Sequence, residues 1–191
     1  MKRLVLCGTM LVCMLSIPLF ASDPYEGLFS QVRNAIEGKD YPKALASLRS
    51  ALQTFWGQSP LLLQNVRFVN GGDNSFGIYE PKQGDQFTSD KTIYLYMEPV
   101  GYTLKKNPNG YYEFGFTGDF SLADESGKVL GGQNEFAKLD FRSWNFNTEI
   151  ALTFDYSISG VEKGKYKIIT TVKDKFSDKK ATTETWVVFG K

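Results

Sequence analysis

The sequence predicts a mainly β protein, an antiparallel β-sandwich preceded by an α-helical hairpin. Three observations carry that expectation. Apolar residues recur at helical spacing from Leu28 to Phe55. From Leu61 onward they alternate with polar ones, as in strands with one buried and one wet face. Turn-forming clusters then cut the alternating region into roughly seven or eight runs, a spacing that calls for two packed sheets.

The chain opens on Met1, Lys2 and Arg3, followed by an apolar run from Leu4 to Phe20 and a small residue at Ala21. A basic head, an apolar stretch and a small residue form the pattern of a secretory signal peptide. Residues 1–21 are therefore expected to be removed, with the cut after Ala21 or Ser22. The run is short for a span and is interrupted by Gly8, Thr9, Ser16 and Pro18, so no stable membrane span is expected after cleavage. Cys7 and Cys13 lie inside this segment, preceded by Leu6 and Val12 rather than by the small residue of a lipoprotein signal. The exported chain, periplasmic or secreted, then has no cysteine and must be stable without disulfides. Its length allows that, because a domain of this size buries roughly 70% of its unfolded surface.

The whole chain has 22 Lys and Arg against 21 Asp and Glu, and no His. Loss of Lys2 and Arg3 leaves a slight acidic excess and no basic stripe, so nucleic acid is not an expected partner. Without histidine there is no Ser-His or Cys-His nucleophile system, and without a mature cysteine the common zinc sites are excluded as well. Carboxylates, lysine, tyrosine and hydroxyls remain for chemistry. No enzyme activity, metal or cofactor is expected.

Residues 22–59 read as the helical hairpin. In Asp23-Pro24-Tyr25-Glu26, Asp23 suits the cap, Pro24 the first helical position and Glu26 the capping box. Leu28, Val32, Ala35 and Ile36 share one face, and Gly38 supplies the stop. A second helix is expected from about Pro42 to Trp56, ended by Gly57, with Leu45, Leu48, Leu52 and Phe55 as its apolar face. In GKDYPKALASLRSAL, the residues Gly38, Tyr41, Ala44, Leu48 and Ala51 resemble the turn and small-residue packing positions of one tetratricopeptide repeat. The resemblance implies a single helix–turn–helix. Only one unit is present, its closing proline is displaced to Pro60, and a lone repeat supplies no peptide groove.

Residues 60–191 read as the sandwich. Tyr112, Phe114, Phe116, Phe120 and Leu122 share one strand face, opposite Glu113, Thr117, Asp119 and Ser121. Ile150, Leu152, Phe154, Tyr156 and Ile158 do the same, and so do Tyr166, Ile168, Thr170 and Val172 against Lys165, Lys167 and Lys173. Turns fall at Asn107-Pro108-Asn109-Gly110, Asp124-Glu125-Ser126-Gly127, Glu162-Lys163-Gly164 and Ser177-Asp178-Lys179. The tail from Gly164 to Phe189 resembles the last two strands of immunoglobulin-like domains in exported bacterial proteins. Gly164, Tyr166 and Asp174 hold the matching positions, and Lys163 replaces the usual proline. EPVGY, GYYEFGF and GKVLGGQ, between Ile93 and Gly132, are similar to exported bacterial proteins without an assigned activity. The resemblance implies an immunoglobulin-like β-sandwich, and architecture alone brings no function.

Candidate functional residues are few. Glu98, Glu113, Asp119, Glu149 and Asp155 are carboxylates, but a glycosidase needs two of them roughly 5–10 Å apart across a cleft. Most of them fall on wet strand faces. Asp73-Asn74 and the stretch from Asp85 to Asp90 lack the alternating ligands of a calcium loop. GGDNSFG reads as a flexible linker. The chain is rich in rings, with 15 Phe, 10 Tyr and 3 Trp. In IYLYMEPVGY the residues Tyr94, Tyr96, Glu98 and Tyr102 form the candidate binding site, because Ile93, Leu95 and Met97 claim the other face. A strand apolar on both faces is normally covered on both. The helical hairpin is the expected cover of Tyr94 and Tyr96, Glu98-Pro99 marks the point where the strand leaves its sheet, and Tyr102 is the ring expected to stay exposed. The expected function is that of an exported, non-catalytic binding or assembly protein of the bacterial cell envelope, with another envelope protein as partner. A carbohydrate-binding module using the tyrosine row is the alternative, and a carboxylate-based hydrolase the third reading.

Overall fold

Residues 25–88 and 90–190 are described by the computed structural model. The expected leader, its two cysteines and the Asp23-Pro24 helix start lie outside them. The chain divides into two compact units, residues 1–51 and 52–191.

The described part of the first unit is helical. Helix α1 spans Glu26–Glu37, with Tyr25 at the cap position, and α2 spans Tyr41–Gln58. Between them Gly38 N–H bonds Asn34 O and Asp40 N–H bonds Ala35 O. The left-handed residue of the turn is Lys39, at φ 55°, rather than Gly38. Asp40 caps α2 by accepting from Lys43 N at 3.1 Å. Val32, Ala35, Ala44, Ser47 and Ala51 are the buried residues of this unit. The small side chains therefore lie inside, while Leu45 and Leu48, expected on a packed apolar face, are exposed.

The second unit is mainly β. Its strands are β1 Leu62–Val69, β2 Gln86–Phe87, β3 Ile93–Val100, β4 Lys105–Lys106, β5 Tyr112–Asp124, β6 Val129–Ser143, β7 Leu152–Tyr156, β8 Gly164–Asp174 and β9 Lys180–Phe189. One sheet has the order β1-β3-β7 and is antiparallel. The other has the order β2-β9-β8-β5-β4, with β6 on β5, and is mixed because β2 runs parallel to β9. Both sheets contribute to one core, from Leu95, Met97, Leu152 and Phe154 on one side and Phe114, Phe116, Ile168 and Val187 on the other. The alternation read for β7 and β8 matches their buried residues, while in β5 Phe114, Phe116 and Leu122 are buried and Tyr112 and Phe120 half-buried. Inside the core, the Tyr156 hydroxyl on β7 and the Thr170 hydroxyl on β8 are bonded at 2.7 Å, tying the sheets at a fully buried pair.

Two expectations, one about β3 and one about the segment after β1, are corrected. Glu98 and Pro99 do not end the strand, since they pair with Gln64 and Leu63 of β1. The pairing with β7 stops at Met97, so proline falls where β3 has a neighbour on one side only. GGDNSFG is not an open linker, because Ser75 and Ile78 form a bridged turn and Asn74 donates to Gly71 O and Thr153 Oγ1.

The exit from β3 is buried at Gly101 and Tyr102 and is held by side chains from distant segments. Trp56 Nε1 donates to Tyr102 O at 2.8 Å, and Lys179 Nζ to Gly101 O at 2.7 Å. Asp174 accepts from Thr103 N at 2.7 Å, from Phe176 N at 2.9 Å and from Ser177 Oγ at 2.7 Å. Asp174→Ala strands these donors in a buried corner and is expected to cost about 2–4 kcal/mol. Urea unfolding reads it as a lower midpoint at unchanged slope, and a wild-type midpoint would refute the role given to this carboxylate.

Candidate functional site

Strand β3 is central in its sheet, between β1 and β7, so it needs cover on the face away from the core. The loop after β1 supplies it. The Tyr96 ring lies 4.3 Å from that of Tyr79, and its hydroxyl accepts from Gly77 N at 2.9 Å. The same hydroxyl meets Glu98 Oε1 at 2.6 Å and Ser75 O at 3.2 Å. The other oxygen of Glu98 accepts from Asn65 Nδ2 at 2.6 Å. Asn65 sits at φ 53° in the bulge between Gln64 and Arg67, and the irregular backbone aims its amide inward. Arg67 in turn lies over the Tyr79 ring at 5.1 Å.

This arrangement corrects the tyrosine-row reading. Tyr96 is 0% and Glu98 4% exposed, so neither offers a face to a ligand. Tyr102, expected to be the exposed ring, is also 0% exposed. It packs against Trp56, Phe114 and Phe116, and its hydroxyl donates to Asn147 O at 2.7 Å. Only Tyr94 keeps partial exposure, beside a cleft it shares with Lys82, Phe87 and Lys91. Tyrosine at alternate positions on the face away from Ile93 and Leu95 signalled a second covered face, which the loop from Gly71 to Tyr79 occupies.

Of the other candidate carboxylates, Asp119 and Glu113 are engaged by neighbours. Asp119 is ion-paired with Lys173 and accepts from Glu135 N at 2.8 Å, and these contacts outweigh its partial burial to hold its pKa below the ordinary value. Glu113 accepts from Asn107 Nδ2, while Glu149 and Asp155 are exposed. Among the described residues, no three potential ligands gather as a metal would require.

What the fold brings together instead lies along β6. Among the described strands it pairs only with β5, so one side of a 15-residue strand has no neighbour. A bulge at Glu135, φ 49°, is fixed by the Asp119 bond and turns the Phe136 ring onto Phe120 and Phe154. The arm before the bulge, Val129 to Asn134, carries no charge and is exposed throughout. Beside it runs a groove of about 620 Å³ lined by Phe120, Leu122, Leu130, Ile158 and Val161, with Asp124 and Glu162 among its charged neighbours. Beyond the other end of β6, Trp144 is 74% exposed, edge-on to Tyr111 at 5.9 Å, and the Arg142 guanidinium lies 4.2 Å from the centre of the Tyr111 ring. Sequence reasoning missed both features. The signal for the first was the uncharged VLGGQN between Lys128 and Glu135, where alternation lapses.

No protein family, curated protein or solved structure matches the chain.

The buried phenol gives a pH dependence. Burial first, then the bond to Glu98, pushes the pKa of Tyr96 up to about 12 from 10.0. The fold thus favours the neutral phenol, whose stabilising share is complete below pH 10 and is lost as the pH rises toward 12. Burial raises Tyr102 and Tyr156 in the same direction. Urea midpoints are expected to fall above pH 10, and Tyr96→Phe to flatten that fall while costing about 1–2 kcal/mol at neutral pH. Overlapping profiles for the variant and the wild type would count against a buried Tyr96.

Proposed function

We propose that the second unit is an immunoglobulin-like sandwich acting as a non-catalytic binding or assembly module at the bacterial cell envelope, with β6 as its docking edge. The fold part of this reading is supported by a strand order of β1-β3-β7 in one sheet and β2-β9-β8-β5-β4, with β6 on β5, in the other. It is supported further by the Tyr166 hydroxyl, which donates to Glu162 O at 2.9 Å near the start of β8, the bond of a tyrosine corner. Gly164 and Asp174 open and close β8, as the resemblance implied. The leader pattern supports export, and among the described residues no helix is long and apolar enough to cross a membrane.

The observation that carries the docking role is the state of the β6 edge. Natural edge strands are blunted by charge, proline, shortness or cover, because an open row of N–H and C=O groups recruits another strand. The arm from Val129 to Asn134 has no charge and no proline, and Val129 and Leu130 are 58% and 48% exposed. An extended partner segment adding to such an edge obtains main-chain hydrogen bonds without deforming the sandwich.

A photoreactive residue placed at Leu130 is expected to cross-link a discrete partner in an envelope extract, and the same residue at Thr182 on β9 is not. Introducing Lys128-like charge at the neighbouring position, as Val129→Lys, is expected to lower the yield about tenfold at unchanged melting temperature. Equal adducts from both sites would remove β6 from the reading.

A second reading is favoured by Trp144. An indole exposed to that degree and braced by Tyr111 and Arg142 is a stacking surface for a pyranose ring, so glycan binding moves from the tyrosine row to this platform. Trp144→Ala is expected to abolish retention on a polysaccharide column without changing stability by more than about 0.5 kcal/mol. Equal retention of wild type and variant would dismiss it.

A further inference from the structure

The β6 edge and the groove beside it lie on one path along the chain. Gly131 pairs with Leu122 of β5, and Gly132 with Ser121. Directly opposed residues of a sheet project to the same face, so Gly131 stands on the face of Leu122, which is buried. At that position β6 has no side chain to cover the apolar floor. The two glycines differ in what a side chain would meet. A Cβ on Gly132 would fall 2.4 Å from Phe120 O, whereas one on Gly131 would find nothing within 4 Å. Gly132 is thus required by close backbone approach to β5, and Gly131 leaves open space over the groove.

A segment added along β6 would set one residue opposite Gly131, with its side chain on the groove face. The floor there is Phe120, Leu122, Ile158 and Val161, and the room is about 620 Å³, ample for an aromatic side chain. Both charged residues lining the groove, Asp124 and Glu162, are acidic, and no lysine or arginine lines it. The Asp124 carboxyl is held below its ordinary pKa, first by its bond from the Ser126 hydroxyl, with the charge of nearby Lys128 adding to the effect.

We infer that this groove is the specificity pocket of the β6 edge, and that it takes an extended peptide strand carrying a bulky apolar side chain with a lysine or arginine beside it. Main-chain bonds to β6 supply sequence-independent affinity, and the groove selects the residue opposite Gly131. The inference rests on the docking-edge reading and adds to it the chemistry of the partner.

The test uses the full chain and three capped heptapeptides of alternating Thr and Val, with a central Phe followed two positions later by Lys, with Ala in place of the Phe, or with Glu in place of the Lys. Binding is followed by fluorescence anisotropy and by hydrogen exchange of the amides from Val129 to Gln133. The Phe-Lys peptide is expected to bind at least about tenfold more tightly than the Ala peptide, from the apolar area it buries, and to slow exchange along β6. The Glu peptide is expected to bind more weakly than the Phe-Lys peptide, with a difference that shrinks at high salt. Gly131→Leu fills the groove and is expected to erase the preference for Phe while melting as the wild type does. If all three peptides protect β6 equally, the pocket is refuted and the edge stands. Protection of β6 by none of them refutes both, whereas self-association of the chain through β6 in place of peptide binding refutes the peptide pocket and leaves the edge standing.

Discussion

A buried departure from a sheet is the constraint on which much of the β unit depends. Where β3 ends, Gly101 and Tyr102 enter the interior, and buried backbone groups must find partners or cost about 1–3 kcal/mol each. Here the partners come from far along the chain: the Trp56 indole, the Lys179 ammonium and the Asp174 carboxylate. Gly101 itself is at φ +82°, and a Cβ there would meet Pro60 O at 2.3 Å. The corner therefore couples the segment before β1, the exit of β3 and the β8–β9 hairpin. Each satisfies groups that the others bury, and none of them can be adjusted alone.

A related economy governs the opposite face of β3. A central strand with apolar residues on both faces needs two covers, and only one is a sheet. The second is a loop, and loops carry unpaired backbone groups inward. Tyr96 meets that need with a phenol that bonds Gly77 N and Ser75 O, and Glu98 holds that phenol while accepting from Asn65 Nδ2 of β1. The two residues that looked most like ligand contacts are thus the polar seat of a loop. Burying the Tyr96 hydroxyl fixes the loop's position, because a shift would break its bonds with Gly77 N and Ser75 O.

Strand β6 follows a different logic. Beyond the bulge its residues cover the core with Phe136, Leu139 and Phe141, and before the bulge it is exposed on every residue. One residue at φ 49° separates the two behaviours. The bulge separates these two halves, and the exposed half lies next to a groove lined by Phe120 and Leu122. The core-covering and the exposed residues of this strand are thereby kept apart.

Much of the architecture was legible in residue pattern. Alternation in β7 and β8 told which side chains are buried, since period-two burial is a local property of a pleated strand. The turn at Asp124 to Gly127 was readable from turn chemistry, and the close of β8 at Asp174 from the resemblance of the tail to immunoglobulin-like strands. The edge status of β6 was not, because pairing partners are a matter of topology. Nor was the burial of Tyr102, because its cover comes from Trp56 and from Asn147 O, tens of residues away on either side. The sequence by itself determined the mainly β class, the lack of histidine chemistry and the inward faces of β7 and β8, all set by composition and local period. Only the tertiary structure decided which strand has no neighbour and which tyrosines are covered, because both depend on contacts between segments that local pattern does not encode.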